Sequence, residues 1–220
     1  MTSSKTTAAF AVAFFAIWLF AASPTAETWN IDNPGRIGGH VTQILGHPHV
    51  IPAPGRHAVE FNGIDDAIFL DENPLTGADT WTWEVIFHPA LGGAPEQRFF
   101  HFQENGTDNR MLFEIRVIGD QWCLDSFAKG GAGSATLLDR TKLHALDAWY
   151  HVAAVYDGRE LRNYVDGVLQ GDAEVHLEPQ KAGRASIGVR FNKVNYFKGA
   201  ILAARMTPHA LDPEAFMKKP

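Results

Sequence analysis

A single cysteine, Cys123, occurs in the 220 residues, so no intrachain disulfide can form. The core must hold by packing alone, and a chain of this length can bury enough apolar surface to do so. Cys123 itself reads as a small buried hydrophobe, the ordinary fate of a lone thiol. Cations are also scarce: Lys and Arg number 19 against 25 Asp and Glu, a net charge of −6. Polyphosphate backbones reward clustered Lys and Arg, so nucleic acid is not an expected partner. No linker, repeat or low-complexity tract divides the chain, and no stretch sustains a helical period. One domain with little helix is expected.

Only one long apolar run is present, Ala8 to Ala22. At roughly 15 residues it is short of the ~20 that a bilayer span requires. Lys5 precedes it, and small residues with Pro24 follow, the order of a secretory signal. Residues 1–26 are expected to be a signal peptide cut between Ser23 and Ala26, giving a secreted or periplasmic product. Membrane contact is expected only through this segment where it stays uncleaved.

Beyond it, nearly every patterned stretch has the two-residue beat of strands. TWTWEVIFH (80–88) sets Trp81, Trp83, Val85 and Phe87 against Thr82, Glu84, Ile86 and His88. RFFHFQ, MLFEIRV, QWCLDSF, ATLL, LRNYV, ASIGVR and FKGAILAARM follow, with turn residues between them. The pattern predicts an all-β sandwich. In WYHVAAVYDGRELRNYVDGV (149–168), Asp166-Gly167 is the preferred pair where both central turn residues need positive φ. Three consecutive antiparallel strands result, and the stretch reads as scaffold. Residues 27–57, rich in Gly, Pro and His, are expected to form an N-terminal extension with an edge strand. Asp212 before Pro213 signals one short helical turn.

Several segments together resemble laminin-G-like domains of the concanavalin A-like lectin/glucanase superfamily. They are FNGIDDAIFL (61–70), TWEVIFHP, WYHVAAVYDGRELRNYVDGVLQG, and SIGVR followed by FKGAILAARMTPHALDPEAF. The resemblance covers residues 58–216. It implies a jelly roll of two antiparallel sheets, with carbohydrate or protein binding, often with calcium at the sheet rim. Asp65 and Asp66 match the family's paired acids, so Asn62, Asp65 and Asp66 are the expected Ca²⁺ positions. Leu202 and Ala203, however, stand where the family often carries Asp and Glu. The competing reading is that these acids shape a turn.

Strand alternation also proposes a ligand face. His101 and Gln103 share a side with Phe99 in RFFHFQ. In MLFEIRV, Met111, Phe113, Ile115 and Val117 read as core, leaving Leu112, Glu114 and Arg116 opposite. If the strands are neighbours, His101, Gln103, Glu114 and Arg116 form one polar patch, with Trp122 as a stacking platform if exposed. Arg can fork onto a carboxylate, and His and Glu can move protons. His101 and Glu114 are the catalytic candidates, although no catalytic assignment is made. Alginate lyases of this fold use Arg, Gln, His and Tyr, types present here as Arg116, Gln103, His101 and Tyr196, but the order of the motifs differs. The Glu-x-Asp-x-x-Glu run of jelly-roll glucanases is missing. A plain Glu114–Arg116 surface salt bridge is the bland alternative.

The expected function is therefore binding of a glycan or a cell-surface protein. A polysaccharide-degrading hydrolase or lyase on the same face and a structural envelope module are the alternatives.

Overall fold

The computed structural model describes residues 25–219. The signal peptide expected over residues 1–26 lies outside them, apart from its last two positions. The chain runs through β1 (Glu27–Asn30), β2 (Arg36–Ile37), β3 (His40–Val41), β4 (Gln43–Leu45), β5 (His49–Ala53) and β6 (Arg56–Asn62). It continues as β7 (Ala67–Leu70), β8 (Trp81–Pro89), β9 (Glu96–Glu104), β10 (Arg110–Ile118), β11 (Gln121–Gly130) and β12 (Gly133–Leu138). Last come β13 (His144–Ala145), β14 (Tyr150–Tyr156), β15 (Glu160–Val165), β16 (Val168–Glu174), β17 (Gly183–Ile187) and β18 (Lys198–Thr207). A single 3-10 turn, Pro213–Ala215, follows Asp212 where the Asp-Pro pair placed it.

Two eight-stranded antiparallel sheets result. Sheet I has the order β16-β15-β14-β8-β18-β6-β5, with β1 also on β18. Sheet II has the order β12-β11-β10-β9-β17-β7-β4, with β13 also on β11. Strands β2 and β3 form a small ribbon of their own. This is the two-sheet sandwich that the alternation predicts.

The core between the sheets is built on aromatic rings. On β8 the row Trp81, Trp83, Val85 and Phe87 faces inward, as its sequence pattern requires. Trp83 of sheet I meets Phe113 of sheet II with ring centroids 4.2 Å apart, and Phe87 stacks on Phe99 at 4.4 Å. Each such buried ring contributes roughly 1.5–3 kcal/mol of transfer free energy. Trp149 does not join this core. It packs against Ile86 and Leu202 on the outer side of sheet I.

The Asp166-Gly167 corner adopts φ of 49° and 79°, the doubly positive geometry for which that pair is suited. It makes β14, β15 and β16 successive neighbours, so the meander is scaffold as expected. Residues 27–57 do more than supply one edge. Strand β4 borders sheet II, β5 borders sheet I, and β1 delivers the fully buried Trp29 to the main core.

One expectation about alternation fails at a bulge. The β9–β10 register shifts between Phe113 and Glu114, so Phe100 pairs with Phe113 and Arg98 with Glu114. Phe99 is the extra residue, and both Phe99 and Phe100 turn into the core. Phe99 therefore does not share a face with His101.

Sheet I carries a cover on its outer face. Past β18 the chain crosses back over β8 and β14, and Phe216 packs its ring against His151 and Tyr164. Thr82 Oγ1 donates to His209 O and accepts from Leu211 N–H, both at 2.9 Å. Beneath this strap Glu84, wholly buried, accepts from His151 Nε2 at 3.0 Å, Arg205 Nε at 2.5 Å and Met217 N–H at 2.6 Å. Burial alone would raise the Glu84 pKa, but these hydrogen bonds outweigh it and hold the carboxyl below its ordinary value.

Candidate functional site

The four polar residues expected on one face, His101, Gln103, Glu114 and Arg116, do share the outer face of sheet II. Cross-strand pairing places them in ranks. Gln103 stands between Arg184 of β17 and Arg110 of β10, and Arg110 faces Lys129 of β11. His101 stands between Ser186 and Leu112. Glu114 lies between Arg98 and Asp125, and Arg116 between Glu96 and Cys123. The predicted patch thus resolves into two neighbourhoods.

The first is ionic and closed on itself. Arg98 Nε donates to Glu114 Oε1 at 2.9 Å, and Arg116 Nη2 donates to Glu114 Oε2 at 3.1 Å. Arg116 Nε also donates to Asp125 Oδ2 at 2.7 Å and the same guanidinium reaches Glu96. The expected Glu114–Arg116 bridge exists, but as part of a largely buried network. Burial is the main cause raising the Glu114 pKa, with Asp125 adding to it and the two arginines opposing. Both carboxylate oxygens are already occupied by arginine.

The second neighbourhood surrounds His101, which has no exposed surface. Its cover is the β17–β18 connection. Gly188, at φ 85°, turns the chain sharply, and a Cβ there would sit 2.4 Å from the Phe61 ring. The loop returns at Phe197, whose N–H donates to Gly188 O at 2.8 Å. Between them, Ser186 Oγ donates to Val189 O, and Arg98 N–H donates to Asn195 O. Phe191 lies over His101 with ring centroids 4.8 Å apart.

His101 Nδ1 accepts the N–H of Phe191 at 3.4 Å. The ring proton of the neutral imidazole therefore sits on Nε2, which is buried with no partner. The His101 pKa is pushed down to about 2, first by burial and then by the guanidiniums of Arg190, Arg110, Arg184 and Arg98. His101 is a fixed neutral donor at every physiological pH.

Beside this cover lies a shallow hollow of about 310 Å³ on the same face. Its lining includes Phe69, Phe191, Arg184, Lys193, Gln43 and Leu45. The Phe69 and Phe191 rings stand 5.9 Å apart at their centroids. Arg184 lies over the Phe191 ring at 4.1 Å, and Arg110 over Phe127 at 4.5 Å. Such stacking holds guanidinium planes in place; Arg110 Nη1 also donates to Asp108 O at 2.8 Å, and the Arg184 edge is left free to donate.

Other expected site residues are elsewhere. Trp122 is not a surface platform. It is fully buried in the inter-sheet core, with Nε1 donating to Ala145 O at 3.1 Å, because residue 122 of β11 alternates with outward-facing Cys123. Tyr196 sits near Asp65, whose charge adds to burial in raising the tyrosine pKa, and not beside His101.

Asn62, Asp65 and Asp66 form the turn between β6 and β7. Asn62 Oδ1 accepts the N–H groups of Ile64, Asp65 and Asp66, at 2.8, 3.1 and 3.3 Å. The Asp66 carboxylate accepts from His47 N–H and Asn62 N–H. Calcium takes six to eight oxygens, and here Asn62 Oδ1 and the Asp66 carboxylate are turned onto backbone donors while Asp65 Oδ1 accepts from Asn62 Nδ2 at 2.7 Å. Leu202 and Ala203 are buried and add none. The set does not fit a calcium cage, and among the described residues no group of three or more His, Cys, Asp or Glu could hold a metal ion.

Sequence reading missed Arg98, Arg110, Arg184, Arg190 and Phe191. Arg110 was in reach, since it continues the 112, 114, 116 row by one step. Arg98 depends on the bulge, Arg184 on the pairing of β17 with β9, and Arg190 and Phe191 on a loop folding back over the sheet, none of which has a local signature.

No curated protein sequence matches this chain. Among solved structures, domain 4 of a GH43 extracellular arabinanase from Geobacillus stearothermophilus, in complex with arabinotriose, has a TM-score of 0.64 at 16% identity. That match covers 86% of this chain and 95% of the arabinanase domain. The binding domain of Paraclostridial Mosquitocidal Protein 1 gives 0.62 at 11% identity, covering 85% of this chain. The botulinum neurotoxin serotype D binding domain gives 0.59 at 10%, covering 87%. This chain spans only 49% of each of those two toxin domains. At these identities the likeness is one of fold. The laminin-G-type model of the concanavalin A-like lectin/glucanases superfamily matches residues 62–215, and the chain belongs to that family.

Proposed function

We propose that the chain is an exported glycan-binding module that works through the outer face of sheet II. The observation that carries this reading is the hollow beside His101. There two aromatic rings, Phe69 and Phe191, stand on a face turned away from the core, with Arg184, Lys193, Gln43 and one carboxylate, Asp71, around them. An apolar floor with a few convergent polar groups is the usual composition of a small-ligand site. Sugars present both kinds of surface, with C–H faces for the rings and hydroxyls for the polar groups. The arabinanase domain of the same fold, bound to arabinotriose, supports the reading, as does a botulinum neurotoxin DC binding domain in complex with SialylT. Export rests on the order of charged, apolar and small residues before Glu27.

The same face is poorly arranged for hydrolysis or lyase chemistry. A general base must present a free acceptor to the proton it removes. His101 Nδ1 is engaged by Phe191 N–H and its Nε2 carries the proton, while both Glu114 oxygens accept from arginine. Binding without turnover is the function these groups serve best.

The test is retention of the full chain on a panel of immobilised plant, algal and bacterial polysaccharides, with soluble product assayed in parallel. Retention without new reducing ends or unsaturated sugars is expected. Release of either product would make the protein an enzyme. Capture only by a protein partner would point to cell-surface or envelope assembly instead.

A further inference from the structure

The geometry points to a carboxylate-bearing polysaccharide as the ligand of this face, an inference that rests on the glycan-binding reading above. Three observations converge on it. The first is charge that is not compensated. Arg98 and Arg116 are matched by Glu96, Glu114 and Asp125, but Arg110, Arg184 and Arg190 have no carboxylate within salt-bridge distance among the described residues. In a chain with net charge −6, a surface with surplus cations is a local arrangement, not a reflection of composition.

The second observation concerns hydrogen bonds. Buried polar atoms are almost always partnered, and those that are not call for a reason. Three unpartnered buried atoms occur on this face: His101 Nε2, Arg98 Nη1 and Arg110 Nε. All three are donors. The polar atoms left over on this face are thus donors, and where a guanidinium reaches solvent, as on the exposed Arg184, its fork matches the two oxygens of a carboxylate.

The third is crowding of like charge. Arg190 is drawn below the ordinary guanidinium value, by burial first and then by repulsion from Arg110 and Arg98. An anion at this point would relieve a repulsion that the folded chain otherwise bears. In the rank Arg184, Gln103, Arg110, Lys129, the lysine is paired with Asp108 at 2.6 Å, so the uncompensated positive line runs from Arg184 of β17 across β9 to Arg110 of β10. With neighbouring strands ~4.8 Å apart, it extends ~10 Å. That is long enough for a chain of sugars to meet more than one cation, and the Phe69–Phe191 hollow opens at its Arg184 end.

The experiment compares acidic polysaccharides with their carboxyl-reduced forms, in which each carboxylate becomes a neutral hydroxymethyl. The probes are polygalacturonate, alginate and glucuronoxylan fragments with their reduced counterparts. Dextran sulfate serves as the sulfate arm, and binding is measured by calorimetry. At least one acidic probe is expected to bind about tenfold tighter than its reduced form, with affinity falling as salt rises. Arg184→Gln and Arg190→Gln should each lower that affinity by roughly tenfold and leave the domain folded, since neither side chain is hydrogen-bonded in the fold: Arg184 gives up only its stacking on Phe191, and Arg190 only a repulsion. Arg159→Gln, at an exposed corner on Glu174, should change nothing. Equal affinity for acidic and reduced forms, unaltered by either arginine substitution, would overturn the inference while leaving glycan binding intact. Tighter binding of dextran sulfate than of every uronate would overturn the carboxylate assignment. Binding of no polysaccharide would overturn both readings.

Discussion

The outer faces of the two sheets both bury a carboxylate under a crossing segment, but they settle its surroundings differently. On sheet I, Glu84 accepts from His151, Arg205 and Met217 N–H, and the C-terminal strap closes over the set. On sheet II, Glu114 is matched by arginines, while nearby donors on His101, Arg98 and Arg110 remain open and the cover is one short loop. A completed polar network rigidifies a fold, whereas an incomplete one costs free energy unless something else completes it. The outer face of sheet I keeps unpartnered atoms of its own, Arg162 Nε and Thr207 Oγ1, so the contrast lies in how each carboxylate is held and covered.

The sharpest way to break that contrast is Glu84→Gln. It leaves Arg205 and His151 facing a neutral amide beneath the strap, and a loss of about 3–5 kcal/mol in urea unfolding is expected. A cost below ~1 kcal/mol would mean that the sheet I network does not hold the strap. Glu114→Gln should cost less, about 1–2 kcal/mol, because Arg116 keeps Asp125 and Glu96. Equal losses for the two variants would erase the distinction between the faces.

Acid should act on both faces, and the signs can be followed group by group. His101 has a folded pKa near 2 against an ordinary 6.5. The unfolded chain therefore binds a proton that the folded chain refuses, and this stability, full above pH 6.5, drains away as pH falls toward 2. Glu84, held below its ordinary value, acts in the same direction at lower pH, and Glu114, held above its own, acts oppositely. Phe191→Ala should let water reach His101, move its NMR titration upward from about 2 and flatten the decline of the thermal midpoint between pH 7 and 5. The substitution itself should cost only ~1 kcal/mol, because Phe191 is half-buried. A His101 titration that stays put would show that the surrounding arginines, and not the ring above it, set the value.

The smallest expected effect is that of calcium. Millimolar Ca²⁺ should leave the thermal midpoint unmoved, since the oxygens of Asn62 and Asp66 are turned onto backbone N–H groups. A rise in midpoint, abolished by Asp65→Asn, would restore a metal role to that turn.

The fold was legible because strand alternation and turn chemistry are local. Trp81, Trp83, Val85 and Phe87 fall inward by period alone, and Asp166-Gly167 makes its corner by backbone preference. The site was half legible. Alternation put His101, Gln103, Glu114 and Arg116 on a common face, and there they lie. It could not foresee that a bulge at Phe99 would bring Arg98 opposite Glu114, and it left Trp122 between an exposed platform and the commoner buried ring, which is the one the structure has. Arg184, Arg190 and Phe191 come to His101 from some eighty to ninety residues along the chain, through sheet pairing and a loop pinned to the sheet.

The sequence by itself determined a two-sheet β-sandwich, its tight corners and the polar character of certain strand faces, because each follows from backbone preferences and a two-residue period. Which segment would cross each polar face, and how each buried carboxylate would be partnered, was decided only by tertiary structure. That outcome depends on where the C-terminal strap and the Gly188 loop come to rest, and so on contacts between residues that no local pattern connects.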